Sequence, residues 1–290
     1  MTGDLGLVAC YFNPCKYDRR RLNYLKFYEC LGVHKEDLIT VELAFDDQVF
    51  DLEALDNRIE LRTNTMVWQK EALLNIGIKE ALKRGYKNIC WLDADIAFNE
   101  SDWYNRILNA LDAHKLVQVF EILKRFDDED TFQVMKSTAA SIGNVSEATG
   151  FGWACSSSIL EDCLLYDKLI VGGGDTLIYA AGNGILEEWL RKRTTTYRHS
   201  THIVDWANRW YQKTQGDLGY AKNRIETFYH GTLKNRNYLN RYEILRASSF
   251  DPSADISVDP STGLLEWLDT NKPGLQNDIR DYFVSRKEDG

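Results

Sequence analysis

Asn88-Ile89-Cys90-Trp91-Leu92-Asp93-Ala94-Asp95-Ile96-Ala97-Phe98 is a run of apolar and β-prone residues broken by two aspartates. It reads as a buried strand that delivers Asp93 and Asp95 at its end. Carboxylates one residue apart cannot be solvated where their neighbours are buried. The chain must therefore present them at a strand end, where a divalent cation can offset their repulsion. That arrangement suits a nucleotide's diphosphate held against a cation. The string is short and common, and its simpler reading is an acidic turn capping a strand.

Upstream, strands and helices alternate. Leu5 to Phe12 reads as a first strand, Tyr17 to Leu31 as a helix carrying Leu22, Leu25, Phe27 and Tyr28, and Asp37 to Phe45 as a second strand. From Trp68 to Leu82 the apolar positions give a broad buried helical face, which Gly85 ends. Downstream, Ser101 is the expected N-cap of a helix through Leu111, and Leu116 to Phe120 is a further strand. The alternation predicts an α/β fold with a mixed, mostly parallel sheet flanked by helices. It weakens past Glu121, and Arg125 to Asp130 reads as a loop.

The second half carries isolated signals. Gly172-Gly173-Gly174 is costly to order and implies a tight turn or a close approach by something else. Asp175 follows at the start of a helix, Thr176 to Ala181, either as its cap or as a functional carboxylate. Ile203 to Gln212 reads as a helix with Trp206 and Trp210 on one core face. Arg224 to His230 reads as a strand emerging into Gly231. His230 stands ahead of Lys234, Asn235 and Arg236, a setting for a metal ligand or phosphate contacts. From Phe250 onward an irregular extension ends in a short helix, Leu275 to Phe283.

The 290 residues, 44% hydrophobic and 12% aromatic, can bury one large core or two modest ones. A formal charge of -9 argues against a surface that is basic overall, although Arg191 to His199 and Lys234 to Arg246 supply local positive charge through which nucleic acid could bind. No run of about 18 apolar residues occurs and Met1 to Asp4 lacks the flank of a secretory signal, so a cytoplasmic protein without a transmembrane segment is expected. The six cysteines lack metal-site spacing and read as reduced thiols.

With these parts placed, the chain resembles glycosyltransferases of the GT-A type. The likeness rests on Leu7 to Asn13, Trp68 to Asn75, Trp91-Leu92-Asp93-Ala94-Asp95, Gly152-Trp153, the Gly-Gly-Gly-Asp segment and Tyr229-His230-Gly231. It is most similar to a bacterial and phage group, and its second half resembles animal galactosyltransferases. The resemblance implies a Rossmann-like nucleotide-diphospho-sugar transferase domain over residues 1–249, with 250–290 as an extension packed on it. It also implies a nucleotide-sugar donor, UDP-glucose or UDP-galactose. Tyr11, Phe12 and Asn13 would seat the base and ribose, Asp175 would be the base of an inverting transfer, and Trp153 would stack on a sugar. Where those galactosyltransferases carry further acidic residues, Thr176 follows Asp175.

Asp93, Asp95 and His230 offer oxygen and imidazole ligands that suit Mn²⁺, with Mg²⁺ as second choice. Lys70, Lys234 and Arg236 are candidates to pair with the diphosphate. The resemblance implies an acceptor hydroxyl on a glycan, a lipid-linked sugar or a modified DNA base. The alternatives are a DNA glycosyltransferase acting on 5-hydroxymethylpyrimidines, a phosphohydrolase with Asp93 as nucleophile, and a nucleotide-binding relative without turnover.

Overall fold

The computed structural model describes residues 3–53, 55, 57–126, 131–141, 148–193, 195–238, 240–268 and 272–289. The first half contains β1 (Leu5–Phe12), α1 (Asp18–Cys30), β2 (Leu38–Phe45), β3 (Arg58–Thr63), α2 (Lys70–Arg84), β4 (Asn88–Leu92), β5 (Ile96–Phe98), α3 (Trp103–Leu111) and β6 (Leu116–Gln118). Then follow β7 (Ile122–Phe126), β8 (Phe132–Lys136), β9 (Gly152–Ser156), α4 (Ser157–Asp162), α5 (Gly174–Gly182), α6 (Leu186–Arg191), α7 (Tyr197–Thr214), β10 (Leu218–Tyr220) and β11 (Arg224–Thr227). The tail holds α8 (Arg241–Ala247), α9 (Pro252–Asp255), β12 (Ile256–Val258), β13 (Leu265–Trp267) and α10 (Pro273–Ser285).

A seven-stranded sheet runs in the order β10-β6-β9-β4-β1-β2-β3. Its strands are parallel except β9, which is antiparallel to both β4 and β6. The near-continuous apolar runs of β1 and β2 are explained by cover on both faces. Along β1, Val8 and Phe12 enter one core, whereas Leu5, Leu7, Ala9 and Tyr11 enter the other. Helix α2 presses on the first face so closely that a Cβ at Gly77 would collide with Val8 Cγ1. Gly85, in the left-handed conformation at φ 83°, ends that helix as the sequence predicts.

A second sheet, β5-β11-β7-β8, stands beyond the end of β4. The chain leaves β4, turns through Asp93-Ala94-Asp95 and enters β5, so the acidic turn joins the two sheets. Because β9 runs opposite to β4, with Leu92 opposite Gly152, the start of β9 lies beside this turn. The ends of β1 and β4, the first turn of α2 and the approach to β9 thus meet at one place.

Several expected elements differ. Arg125 and Phe126 complete β7 instead of opening a loop, since they pair with Gln133 and Phe132 of β8; residues 127–130 lie outside the described ones. Helix α3 begins after Asp102 with no side-chain cap, so Ser101 does not cap it. Strand β6 stops at Gln118, and β11 stops at Thr227. Helix α7 starts at Tyr197, where the Thr196 hydroxyl accepts a hydrogen bond from His199 N at 3.1 Å. Trp206 and Trp210 stack in the core, with ring centroids 5.5 Å apart.

The tail is more regular than expected. It forms the hairpin of β12 with β13 and the 13-residue α10. Phe250, Leu265, Ile279 and Phe283 enter the same core as Val8. The buried Gln69 amide donates to Leu265 O at 2.8 Å and accepts from Leu265 N at 3.0 Å. All six cysteines are free thiols. Among the described residues no helix is long and apolar enough to cross a membrane.

Candidate active site

A cavity of about 440 Å³ opens at the ends of β1 and β4. Among the described residues seven lysine or arginine side chains and four carboxylates line it, in a chain whose formal charge is -9. The cavity therefore concentrates positive charge and favours an anionic ligand.

Lys70, the first residue of α2, places its Nζ 2.6 Å from Asp93 Oδ1 and 2.9 Å from Asp175 Oδ2. Asp93 is also tied to the start of β9: its N donates to Phe151 O, and its Oδ2 accepts from Phe151 N, both at 3.2 Å. Burial pushes the Asp93 carboxyl up; Lys70 opposes this while Asp175 and Asp95 add to it, leaving it at about 6. Burial works against the charged ammonium of Lys70, but Asp175 and Asp93 outweigh it and hold the group well above the usual lysine value.

The pairing of β5 with β11 brings His230 to Asp95. Thr227 is opposite Ile96, and Phe228 N donates to Asp95 O at 2.7 Å, which carries the chain back over the acidic turn. His230 Nε2 then lies 2.5 Å from Asp95 Oδ2. Arg236 Nη2 lies 2.8 Å from His230 Nε2 and 3.0 Å from Nδ1. Burial, with Arg236, holds His230 below the usual histidine value against the pull of Asp95. Burial raises the Asp95 carboxyl, but His230 and Arg236 outweigh it and its value is lowered.

Asp175 does not cap its helix. Gly173 occupies the N-cap position, and the Asp175 carboxylate turns to Lys70. The glycines before it make room for protein groups. Gly173 has φ 108°, and a Cβ there would collide with Tyr242 Oη; at Gly174 it would collide with Glu71 Oε1. Glu71 is 2% exposed and its Oε2 has no hydrogen-bond partner. Burial pushes its carboxyl up to about 8.

Glu71 falls within the Trp68 to Asn75 stretch, but no role is legible there for it, nor elsewhere for Arg20 and Arg286. Arg20, from α1, and Arg286, after α10, line the cavity and share one buried carboxylate. Arg20 Nη1 lies 2.7 Å from Glu288 Oε2, and Arg286 Nε lies 2.6 Å from Glu288 Oε1. Burial raises the Glu288 carboxyl, but the two arginines overcome it and hold the group far below the usual carboxylate range. Arg193 and Arg241 line the wall near Asp175.

The expected site residues divide. Tyr11, Phe12, Lys70, Asp93, Asp95, Asp175, His230 and Arg236 all line the cavity. Three do not. Asn13 is 4% exposed and is turned away, its amide donating to Tyr17 O at 2.9 Å. Trp153 is fully buried in the core, donating from Nε1 to Thr149 O at 2.9 Å, and offers no face to a sugar. Lys234 is exposed on a short 3₁₀ helix, Leu233–Arg236, outside the cavity. The basic stretch from Arg191 to His199 is not a uniform positive surface: Arg193 turns into the cavity, Lys192 pairs with Glu188, Arg198 pairs with Asp251, and His199 is fully buried.

The predicted three-ligand metal site is also not preformed. Among the described residues no three His, Cys, Asp or Glu side chains converge on one point: Asp95 and His230 meet, while Asp93 is drawn to Lys70. The donor set still fits a hard divalent ion that takes its remaining ligands from phosphate oxygens. Asp95 Oδ1 is buried without a hydrogen-bond partner, the condition a bound cation would relieve.

No protein-family model matches the chain, and no curated protein sequence matches it. Among solved structures it is similar to glucosyl-3-phosphoglycerate synthase from Mycobacterium tuberculosis in complex with Mg²⁺ and uridine diphosphate, at 10% identity over 91% of this chain and 86% of that one, with a TM-score of 0.42. It is similar also to a Desulfovibrio desulfuricans protein described as a nucleotide-diphospho-sugar transferase, at 10% identity over 85% and 95%, TM-score 0.40. Mannose-1-phosphate geranyltransferase from Thermus thermophilus follows at 13% identity over 77% and 76%, TM-score 0.36.

Proposed function

We propose that the chain is a metal-dependent glycosyltransferase that moves a hexose from a nucleotide sugar, UDP-glucose or UDP-galactose, to an acceptor hydroxyl with inversion. One observation carries this reading: Lys70, Asp93, Asp95, Asp175, His230 and Arg236, scattered along the sequence, line one positively charged cavity at the ends of parallel strands.

In the transfer, the acceptor oxygen bonds to the anomeric carbon, the bond from that carbon to the diphosphate oxygen breaks, and the electron pair leaves with the nucleotide. Asp175 accepts the hydroxyl proton. Arg236 and Lys70 offer cationic hydrogen bonds to the diphosphate as its charge grows. Asp95 and His230 would hold the cation, Mn²⁺ or Mg²⁺, with Asp93 joining when Lys70 turns to phosphate. When bound, the ion stabilises the negative charge of the departing group. Tyr11 and Phe12 form the wall available to the base and ribose.

Neither alternative enzyme reading gains support. The Asp-x-Asp turn follows β4 instead of the first strand, and the candidate DNA-binding segments are mostly paired or turned inward. Calorimetry of UDP with and without Mn²⁺, followed by UDP release from UDP-glucose and UDP-galactose, tests the proposal. Binding of UDP strengthened by the metal is expected. Absence of any nucleotide binding sinks it.

A further inference from the structure

Arg193 and Arg241 line the cavity without a carboxylate partner: among the described residues neither lies within ion-pair distance of one, and Arg241 is only 8% exposed with its Nε lacking a hydrogen-bond partner. Burying a guanidinium without an anion is costly. Part of the cost is offset by rings: Arg241 Cζ lies 5.2 Å from the Tyr238 centroid and 5.5 Å from that of Tyr242, and Arg193 Cζ lies 4.5 Å from that of Trp189. The neighbouring acid does not neutralise them. Glu71 faces Arg241, but burial keeps its carboxyl at about 8 and so protonated at neutral pH.

Both arginines flank the proposed base. Arg193 Nη2 donates to Thr176 Oγ1 at 3.0 Å, one residue beyond Asp175. Arg241 lies along the glycines just before it: a Cβ at Gly172 would be 3.1 Å from its Nη1, and one at Gly173 2.8 Å from its Nη2. Tyr242 fills the space behind and donates to Gly172 O at 3.2 Å. Arg236, by contrast, stands on the Asp95 and His230 side.

We infer that the acceptor carries an anionic group, a phosphate or a carboxylate, which docks on Arg193 and Arg241 while its hydroxyl faces Asp175. The inference rests on the glycosyltransferase reading of the same cavity. It narrows the acceptor to hydroxylated anions, because a neutral acceptor would leave Arg241 buried without an anion.

The test uses the full chain with Mg²⁺ and UDP. UDP is titrated first; then glycerol phosphate, glycerate and glycerol are each titrated into the saturated complex. One of the two anions is expected to bind at least tenfold more tightly than glycerol, and which one identifies the group. Arg241→Gln and Arg193→Gln are each expected to weaken that anion at least tenfold while UDP affinity stays within twofold. Arg193 is less buried than Arg241, so its variant decides the matter if Arg241→Gln fails to fold. Neither anion binding better than glycerol overturns the inference, as does a loss of UDP affinity equal to the loss for the anion; in both cases the transferase reading stands. A wild-type chain that binds no UDP removes the transferase reading itself.

Discussion

Two sides of the cavity bury a glutamate, and the two acids behave in opposite ways. Glu71, on the lysine-centred side, is 2% exposed with one unpartnered oxygen, and its carboxyl rises to about 8. Glu288, behind the arginine-centred side, is 1% exposed, yet Arg20 and Arg286 hold it far below the usual range. Burial is the same; partners differ. On the arginine side both oxygens of Glu288 are taken by Arg20 and Arg286, which fixes the tail against α1. The lysine side is left with competing carboxylates around one ammonium, so its charges can exchange partners when an anion or a cation arrives.

Turnover shows most strongly whether the lysine side serves chemistry. Asp175→Asn should lower kcat by ~10²–10⁴-fold in UDP-glucose or UDP-galactose transfer, with UDP affinity largely kept. Near-normal turnover removes Asp175 as base.

The arginine side should answer in stability instead. Glu288→Gln leaves two guanidinium groups short of their shared anion and should cost about 3–5 kcal/mol, read from the denaturant midpoint at pH 7. Glu288 titrates below its unfolded value of 4.5, so its contribution is complete above that pH and is lost as the pH falls through the folded value. The variant should lose less stability than wild type on acidification. A variant as stable as wild type breaks the contrast.

Glu71 runs the other way. Its folded value exceeds the unfolded 4.5, so the native chain holds the proton more tightly and stability declines as pH rises from 4.5 to about 8. Glu71→Gln should flatten this decline and gain roughly 1–3 kcal/mol at pH 8.5, measured by urea titration at pH 5 and 8.5. The smallest effect belongs outside both sides. Lys234→Ala should leave UDP affinity and kcat unchanged and shift stability by less than about 0.5 kcal/mol; a fall in UDP affinity would return Lys234 to the site.

Much of the first half was legible. The Leu5–Phe12 strand, the helix ended by Gly85 and the strand before Asp93 follow from apolar runs and local turn chemistry, which act over a few residues. The three glycines were legible as a close approach, but not that Glu71 and Tyr242 make it. Asn13 and Trp153 share stretches with true cavity residues, yet alternation along a strand and local hydrogen bonds turned them away.

Periodicity and residue type decide what can be buried, and they suffice for a mostly parallel α/β sheet and an acidic turn at the end of one of its strands. Which charges meet is set by the packing of distant segments. The β5 and β11 pairing put His230 on Asp95, helix α2 put Lys70 between Asp93 and Asp175, and the tail brought Arg286 and Glu288 to Arg20. Contacts between residues far apart in the chain depend on strand register and helix docking, and no local pattern records either.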